Sequence, residues 1–287
     1  MSQSHGGYYI PHGSYWPITA SIGLFLLMIG AATALNGGSG GLLMFLGVAV
    51  ILFMMFGWFG TVIKESEGGL YNDQVDRSFR WGMGWFIFSE VMFFAAFFGA
   101  LFYARAYSVP WLSGDGNNFM TNALVWSGFE DAWPTNGPAM VGGEFQPMGA
   151  WGLPALNTLI LLSRGVTVTW AHWGLKEQNR RQLIIGLAAT VGLGTLFVIL
   201  QAWEYTHAYA ELNLKLSTGI YGSTFFMLTG FHGMHVTIGA IMLAVITLRA
   251  MRGHFTPEHH FAFEAASWYW HFVDVVWLGL FIFVYWL

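Results

Sequence analysis

The sequence predicts an all-α membrane protein whose chain crosses the bilayer seven times. Of its 287 residues, 55% are hydrophobic and only 9% are charged, whereas about one quarter of the residues in a soluble domain are charged. A spanning helix needs about 20 mostly apolar residues, and seven windows of this kind occur between polar or glycine-rich segments. They cover residues 16–35, 42–63, 81–104, 150–175, 183–206, 219–248 and 266–287.

The segments between the windows predict how the chain is organised. Residues 36–41 read NGGSGG, a turn so short that the first two helices must form a hairpin. We therefore expect helices one and two within residues 1–63, a polar cytoplasmic connection at 64–80, and helices three to seven within 81–287. The hydrophilic segment 105–149 is rich in Gly, Pro, Asn and Asp and is expected to form an outer loop with little regular structure.

The distribution of Lys and Arg predicts the orientation. Connections on one side of the membrane carry most of the 11 basic residues, and basic residues are retained on the cytoplasmic side. The N-terminus is expected inside and the C-terminus outside. A secretory signal peptide is a rival interpretation of the first window, but no Lys or Arg precedes Trp16, and the apolar stretch is too long for one.

Composition and motifs exclude several classes of function. The absence of Cys excludes disulfides, zinc fingers, iron–sulfur clusters and thiolate-bound copper on this chain. A net charge of -4 with so few basic residues argues against a nucleic-acid partner. No phosphate-binding loop, serine elbow or zincin motif occurs. The sequence therefore predicts no metal site and no redox or hydrolytic centre.

Ionisable residues inside hydrocarbon are costly, so they are the best indicators of function. Glu90 lies about 15 Å into the third window, near the middle of the membrane. It is either a carboxyl that exchanges a proton or a neutral acid that hydrogen-bonds between helices. Arg164 lies at a similar depth in the fourth window. It either pairs with Glu90 or points into a headgroup or water-filled cleft.

Histidines supply the next candidates. His232 and His235 are spaced i, i+3 and share one face of the sixth window. We expect these histidines to form hydrogen bonds to other helices, for example to Glu90. The alternative is that the pair ligates a metal or a haem. His271 and Asp274 have the same spacing near the cytoplasmic boundary, where each can orient the other. Glu204 and His207 are expected at the interface. Candidates for lipid binding or ion pairing are Arg80, Trp81, Arg164 and Arg249.

Several segments together resemble subunit III of the haem-copper cytochrome c oxidases. In order, they are WGMGWFIFSEVMFF, LNTLILLSRGVTVTWAH, GIYGSTFFMLTGFHGMHVTIG, HHFAFEAASWYWHFVDVVW and a terminal YW. The resemblance implies seven transmembrane helices, with a two-helix and a five-helix bundle separated by a V-shaped cleft filled with lipid. Glu90 matches the family's membrane-buried, carbodiimide-reactive glutamate. The residues at matching motif positions are His232, His235, His271 and Asp274.

The resemblance also implies the function. Such a chain carries no haem or copper of its own, because these lie in partner subunits. It packs on subunit I of an aerobic respiratory oxidase, beside subunit II, with cytochrome c as electron donor. It binds phospholipid and supports proton uptake and stability during the reduction of dioxygen to water. The membrane is expected to be a bacterial inner membrane, with the mitochondrial inner membrane as the alternative.

Three features depart from the family's pattern. The loop at 105–149 is longer than expected, Arg164 occupies a position that is usually small, and Trp173 stands where a second His is common.

A quinol oxidase subunit III is an alternative, although that relative has five helices. A proton-coupled carrier would show internal repeats and broken helices, and a haem b cytochrome would show a second pair of ligand histidines. The sequence contains neither pattern.

Overall fold

The computed structural model describes residues 9–10 and 13–287, and within them every regular element is helical. Seven long helices correspond to the seven predicted windows, and two short helices lie between the third and fourth of these. This confirms the predicted all-α fold. The helices are α1 Trp16–Leu35, α2 Gly41–Glu67, α3 Asp73–Tyr103, α4 Val109–Ser113, α5 Phe119–Leu124, α6 Leu153–Lys176, α7 Arg180–Ala210, α8 Gly219–Met251 and α9 Phe261–Leu280.

Six of the seven long helices in the described part of the chain are apolar enough to cross a membrane by length and composition, and α6 is the exception. With 24 residues, α6 is about 36 Å long and can span the hydrocarbon core. Its hydropathy is lowered by polar side chains such as Asn157 and Arg164, which are completely buried. Asn157 and Arg164 therefore face neighbouring helices, where their cost is lower than in lipid.

The connection between the second and third helices is shorter than predicted. Helix α2 continues to Glu67 and α3 begins at Asp73, which leaves only residues 68–72 outside a helix. The Oδ1 atom of Asn72 accepts hydrogen bonds from the backbone N–H groups of Gln74 and Val75, which satisfies donors at the start of α3. Acidic residues in the first turn of α3 add a favourable interaction with the helix dipole. The charged residues of this segment therefore do not by themselves indicate a loop.

The outer segment 105–149 is also more ordered than predicted. Helix α3 continues through a π-helical segment, Ala104–Ser108, directly into α4, and a short 3-10 turn precedes α5. Pro110 lies at the start of α4, directly after the π-helical segment, and it has no N–H to donate to the preceding turn. Gly114 ends that helix with a φ of 98°, which favours glycine. The prediction of irregular structure is right only from residue 125 onward.

The chain divides into two compact units, Met1–Trp81 and Gly82–Leu287. In the first, α1 and α2 form a closely packed hairpin. A Cβ atom on Gly30 would lie 2.6 Å from the backbone nitrogen of Met44, and one on Gly47 would lie 2.5 Å from that of Leu27. Glycine therefore lets the two backbones approach closely, as is typical of membrane helices.

In the second unit, α9 packs against α6 and α8, and α7 packs against the same two helices. Large aromatic side chains fill the space between them, with Trp270, Trp277 and Phe197 fully buried. Small residues face these rings. A Cβ atom on Gly194 or Gly239 would lie 2.7 Å from a ring carbon of Trp270. This packing fixes the rotation of α9, and with it the direction of the ionisable side chains on that helix.

Candidate functional site

Glu90 and His235 form a hydrogen-bonded pair between α3 and α8. The Oε2 atom of Glu90 lies 2.9 Å from Nε2 of His235, and their side chains are 21% and 7% exposed. The Nδ1 atom of His235 lies 2.6 Å from the carbonyl oxygen of Phe231. Because a carbonyl only accepts, Nδ1 carries a proton. A further proton then lies between Nε2 and Glu90, in either an acid–imidazole or a carboxylate–imidazolium pair.

Aromatic rings surround this pair. The imidazole of His235 contacts the rings of Phe93, Phe94, Tyr269 and Phe272, with centroid separations from 5.1 to 6.4 Å. Apolar surroundings strengthen a hydrogen bond and make the separation of its two groups costly. Packing therefore fixes the positions of two side chains that share a hydrogen bond.

Arg164 and Asp274 form a second polar pair, between α6 and α9. The Nη2 atom of Arg164 lies 3.2 Å from Oδ1 of Asp274, and the Arg164 side chain is completely buried. Its guanidinium carbon lies 4.4 Å from the ring centroid of Trp270 and 4.8 Å from that of Phe197. The alternative in which Arg164 pairs with Glu90 is therefore wrong. The position of Arg164 along the sequence predicts its depth in the membrane but not the direction of its side chain. That side chain reaches Asp274 on α9.

His271 lies at the outer side of this second pair. Its Nδ1 atom is 3.8 Å from Oδ2 of Asp274, and its side chain is 46% exposed, against 12% for Asp274. This distance allows electrostatic attraction but exceeds that of a hydrogen bond. Asp274 therefore lies between a fully buried cation and a half-exposed imidazole.

His232 and His235 share a face of α8 but have different partners. Nε2 of His232 donates to the carbonyl oxygen of Val273 on α9, over 3.2 Å, while His235 contacts Glu90 on α3. The His232 ring packs between Phe197 and Trp277. Each histidine therefore joins α8 to a different helix, and the i, i+3 spacing does not create a joint metal site.

The candidates for lipid binding or ion pairing are distributed over several places. Arg80 forms an ion pair with Asp76 within α3, where the Nε and Oδ2 atoms are 2.7 Å apart, and its side chain remains 34% exposed. The neighbouring Trp81 is 71% exposed. Arg249, near the end of α8, is buried with its guanidinium carbon 4.8 Å from the ring centroid of Phe255. Arg80 and Trp81 therefore present a basic and an aromatic group to the surroundings.

Glu204, which was expected near the membrane–water interface, is buried among helices of this chain. Its side chain is completely buried, and the hydroxyl of Tyr285 donates to its Oε1 atom over 2.7 Å. His207, one turn later, is 41% exposed beside Glu211. The π-helical segment Phe281–Trp286 places Tyr285 against α7, which covers the Glu204 carboxylate.

One cluster of possible metal ligands was not predicted from the sequence. His172, His260 and Glu264 place three ligand atoms within 4.8 Å of one another and can hold a metal ion. The two Nε2 atoms are 3.3 Å apart, and Nε2 of His260 is 3.3 Å from Oε1 of Glu264. Three protein ligands leave a fourth tetrahedral position open. His260 and Glu264 have an i, i+4 spacing that could have been noticed, but His172 is 88 residues away in sequence.

Comparison with known proteins identifies the family. Residues 6–114 and 117–287 match the family described as Cytochrome c oxidase subunit III. A cytochrome c oxidase subunit 3 from Dugong dugon is 41% identical over 287 residues, which cover 100% of this chain and 99% of the relative. The chain belongs to the cytochrome c oxidase subunit III family. As a subunit III it is a component of an oxidoreductase complex embedded in a membrane.

Other members of the family align equally well. The cytochrome c oxidase subunit 3 from Formosania lacustris is 42% identical and that from Scyliorhinus canicula is 41% identical, each over 287 residues and 99% of the relative. The resemblance seen in five motifs is thus confirmed over the whole chain. The match to subunit III also includes residues 6–81, so α1 and α2 lie within the shared region.

Proposed function

We propose that this subunit III is a membrane scaffold without a redox metal of its own, which packs on catalytic subunit I, binds phospholipid and supports proton uptake and stability during turnover. Subunit I and subunit II would carry the haem and copper, and cytochrome c would deliver the electrons. The N-terminus would face the cytoplasm or matrix of an aerobic bacterium or organelle. The observation that carries the proposal is the 2.9 Å contact between Oε2 of Glu90 and Nε2 of His235.

This pair is suited to accept and release a proton. Both side chains are attached to transmembrane helices, and the contact of Nδ1 with the Phe231 carbonyl fixes the orientation of the imidazole. Only Nε2 is left to exchange a proton with Glu90. Intramembrane carboxyl and imidazole groups mark proton relays in many membrane proteins. We therefore assign to Glu90 the role of a buffering group and to His235 that of its partner.

Phospholipid binding is supported by the basic and aromatic groups at helix ends. Arg80 and Trp81 stand together on α3, about 15 Å before Glu90 along the helix axis. Tryptophan favours the headgroup region, and guanidinium groups bind anionic headgroups. Arg249, at the end of α8, is the third group assigned to this role.

The test compares the intact oxidase containing wild-type subunit III with the Glu90→Gln variant, purified through a tag on a partner subunit. Glu130→Gln, at an exposed site in the outer loop, is the matched control. We expect unchanged haem content and subunit composition in all three. Glu90→Gln should lose activity in fewer turnovers or retain less phospholipid. Equal turnover lifetime and equal lipid content would refute a functional role for Glu90.

A further inference from the structure

Two imidazoles and a carboxylate meet where one transmembrane helix ends and another begins. His172 lies one turn before Lys176, the last residue of α6. His260 is the N-cap residue of α9, and Glu264 follows in the first turn of that helix. We call these three residues the His172–His260–Glu264 site. It lies at helix ends whose connections carry basic residues, and it is separate from the Glu90–His235 pair.

The three ligand atoms are spaced as a metal ion requires. Nε2 of His260 lies 3.3 Å from Nε2 of His172 and 3.3 Å from Oε1 of Glu264, and the last two atoms are 3.8 Å apart. A point equidistant from three atoms so separated lies about 2.0 Å from each, which matches zinc–nitrogen and zinc–oxygen bonds of about 2.0 to 2.2 Å. At that bond length the ligand atoms of a tetrahedral site are about 3.3 Å apart. The spacing of the cluster is therefore that of a metal site.

A backbone contact holds His260 in the tautomer that a metal needs. Its Nδ1 atom lies 3.1 Å from the carbonyl oxygen of Thr256. Because a carbonyl only accepts, Nδ1 carries a proton, and the lone pair of the neutral imidazole is on Nε2. Ligating histidines usually fix their second ring nitrogen in this way. This contact involves none of the other ligands, so it supports the ligand role of His260 independently of the spacing.

Without a cation, acceptor atoms face one another in this cluster. A carboxylate oxygen only accepts, and the lone pair of neutral His260 lies 3.3 Å from that of Glu264. The site is also partly withdrawn from water, since the side chains of His172, His260 and Glu264 are 21%, 8% and 16% exposed. The ring of Phe263 lies 5.2 Å from that of His172. A cation bound to all three atoms removes the opposition, and the remaining exposure leaves a path for the ion to enter.

We propose that the His172–His260–Glu264 site binds a zinc ion, which fastens the end of α6 to the start of α9. Two imidazole nitrogens and one carboxylate oxygen form a ligand set that suits zinc, and the fourth tetrahedral position is left for a water molecule. Zinc has no redox chemistry. The ion is therefore a structural clamp, which goes beyond the proposed function and does not alter the absence of a redox metal from this chain.

Zinc binding to the intact oxidase tests the site. The complex is purified through a tag on a partner subunit, equilibrated with radioactive zinc and passed over a chelating resin that removes loosely bound ions. We expect Glu264→Gln and His260→Ala to retain one zinc ion fewer per complex than the wild type. His259→Ala, at the exposed neighbouring histidine, is the matched control and should retain the wild-type number. Equal zinc content in the wild type, Glu264→Gln and His260→Ala would overturn the proposal.

Two further measurements keep the test independent of variant folding. X-ray absorption at the zinc edge of the wild-type complex should show imidazole nitrogen and oxygen ligands at about 2.0 to 2.2 Å, and a spectrum with oxygen ligands alone would overturn the site. Added zinc should raise the thermal unfolding temperature of subunit III in the wild-type and His259→Ala complexes but not in Glu264→Gln. The same shift in all three complexes, or no shift in any, would overturn the role of the ion as a clamp.

Discussion

Arg164 and Asp274 lie 3.2 Å apart in the membrane-spanning core, although 110 residues separate them along the chain. The guanidinium also packs against Trp270, which is on the same helix as Asp274. One side chain of α6 thus contacts both a charge and a ring of α9.

The pair should show strong coupling in a double-mutant comparison. Arg164→Met leaves a buried carboxylate without its cation, and Asp274→Asn leaves a buried guanidinium without its anion. Each single variant should lower the free energy of unfolding by about 3 to 5 kcal/mol. The double variant should lose much less stability than the two single variants added together, because no buried charge remains. Thermal denaturation in detergent measures this, and additive losses would show that the ion pair is not coupled.

Carbodiimide labelling should report the state of Glu90. The reagent modifies protonated carboxyl groups in apolar surroundings, and His235 lies within hydrogen-bond distance of Glu90, at 2.9 Å. His235→Leu should therefore increase the labelling rate of Glu90 several-fold, measured by mass spectrometry of the peptide. Glu90→Gln serves as the control and should abolish labelling at that site. An unchanged rate in His235→Leu would indicate that the imidazole does not affect the proton.

Glycine packing on α8 can be tested with two positions on one helix. A Cβ atom on Gly239 would lie 2.7 Å from Trp270, whereas one on Gly233 would meet nothing within 4 Å. Gly239→Ala should destabilise the subunit by about 1 to 3 kcal/mol, because the buried ring must shift. Gly233→Ala should be tolerated. Equal thermal stability of the two variants in detergent would contradict the close contact with Trp270.

Tyr71, outside the membrane-spanning helices, should titrate at unusually high pH. Burial raises the pKa of Tyr71 above its usual value, and its hydroxyl donates to Oε2 of Glu65 over 2.8 Å, which adds to the effect. The neutral phenol thus stabilises the folded state below pH ~10, the unfolded pKa, and this contribution is lost as the pH rises through the folded pKa.

The measurement for Tyr71 is the tyrosinate absorbance in an alkaline titration, with Tyr71→Phe subtracted to isolate one phenol. Glu65→Gln should lower the apparent pKa of Tyr71 only in part, since burial is the larger cause. A Tyr71 that ionises at the same pH in the folded and unfolded chain would contradict the prediction.

Much of the fold follows from the sequence because the hydrocarbon interior of a membrane permits few backbone structures other than helices. Helix α1 begins and ends at the predicted residues, Trp16 and Leu35, since a glycine-rich turn follows it. The prediction from polar residues is wrong at the start of α3, where Asp73 and Asp76 belong to a helix and not to a loop. Acidic residues are favourable in a first helical turn, so charge does not distinguish a loop from a helix start.

The candidate site was only partly predictable, for a geometric reason. Spacing along one helix correctly places His232 and His235 on one face of α8, but it does not reveal that they bond to α9 and α3 respectively. The partner of Arg164 and the burial of Glu204 depend on how helices rotate against each other. That rotation is set by packing of side chains such as Trp270, which no local pattern encodes.

The Arg164–Asp274 pair also has a consequence for biogenesis. A ribosome making about 5 to 20 residues per second needs on the order of ten seconds to advance from the arginine to the aspartate. During that interval the nascent fourth span holds an uncompensated cation. That unpaired cation costs about 2.5 to 3.5 kcal/mol at the centre of a span, so the arrival of Asp274 with the last span stabilises the fourth.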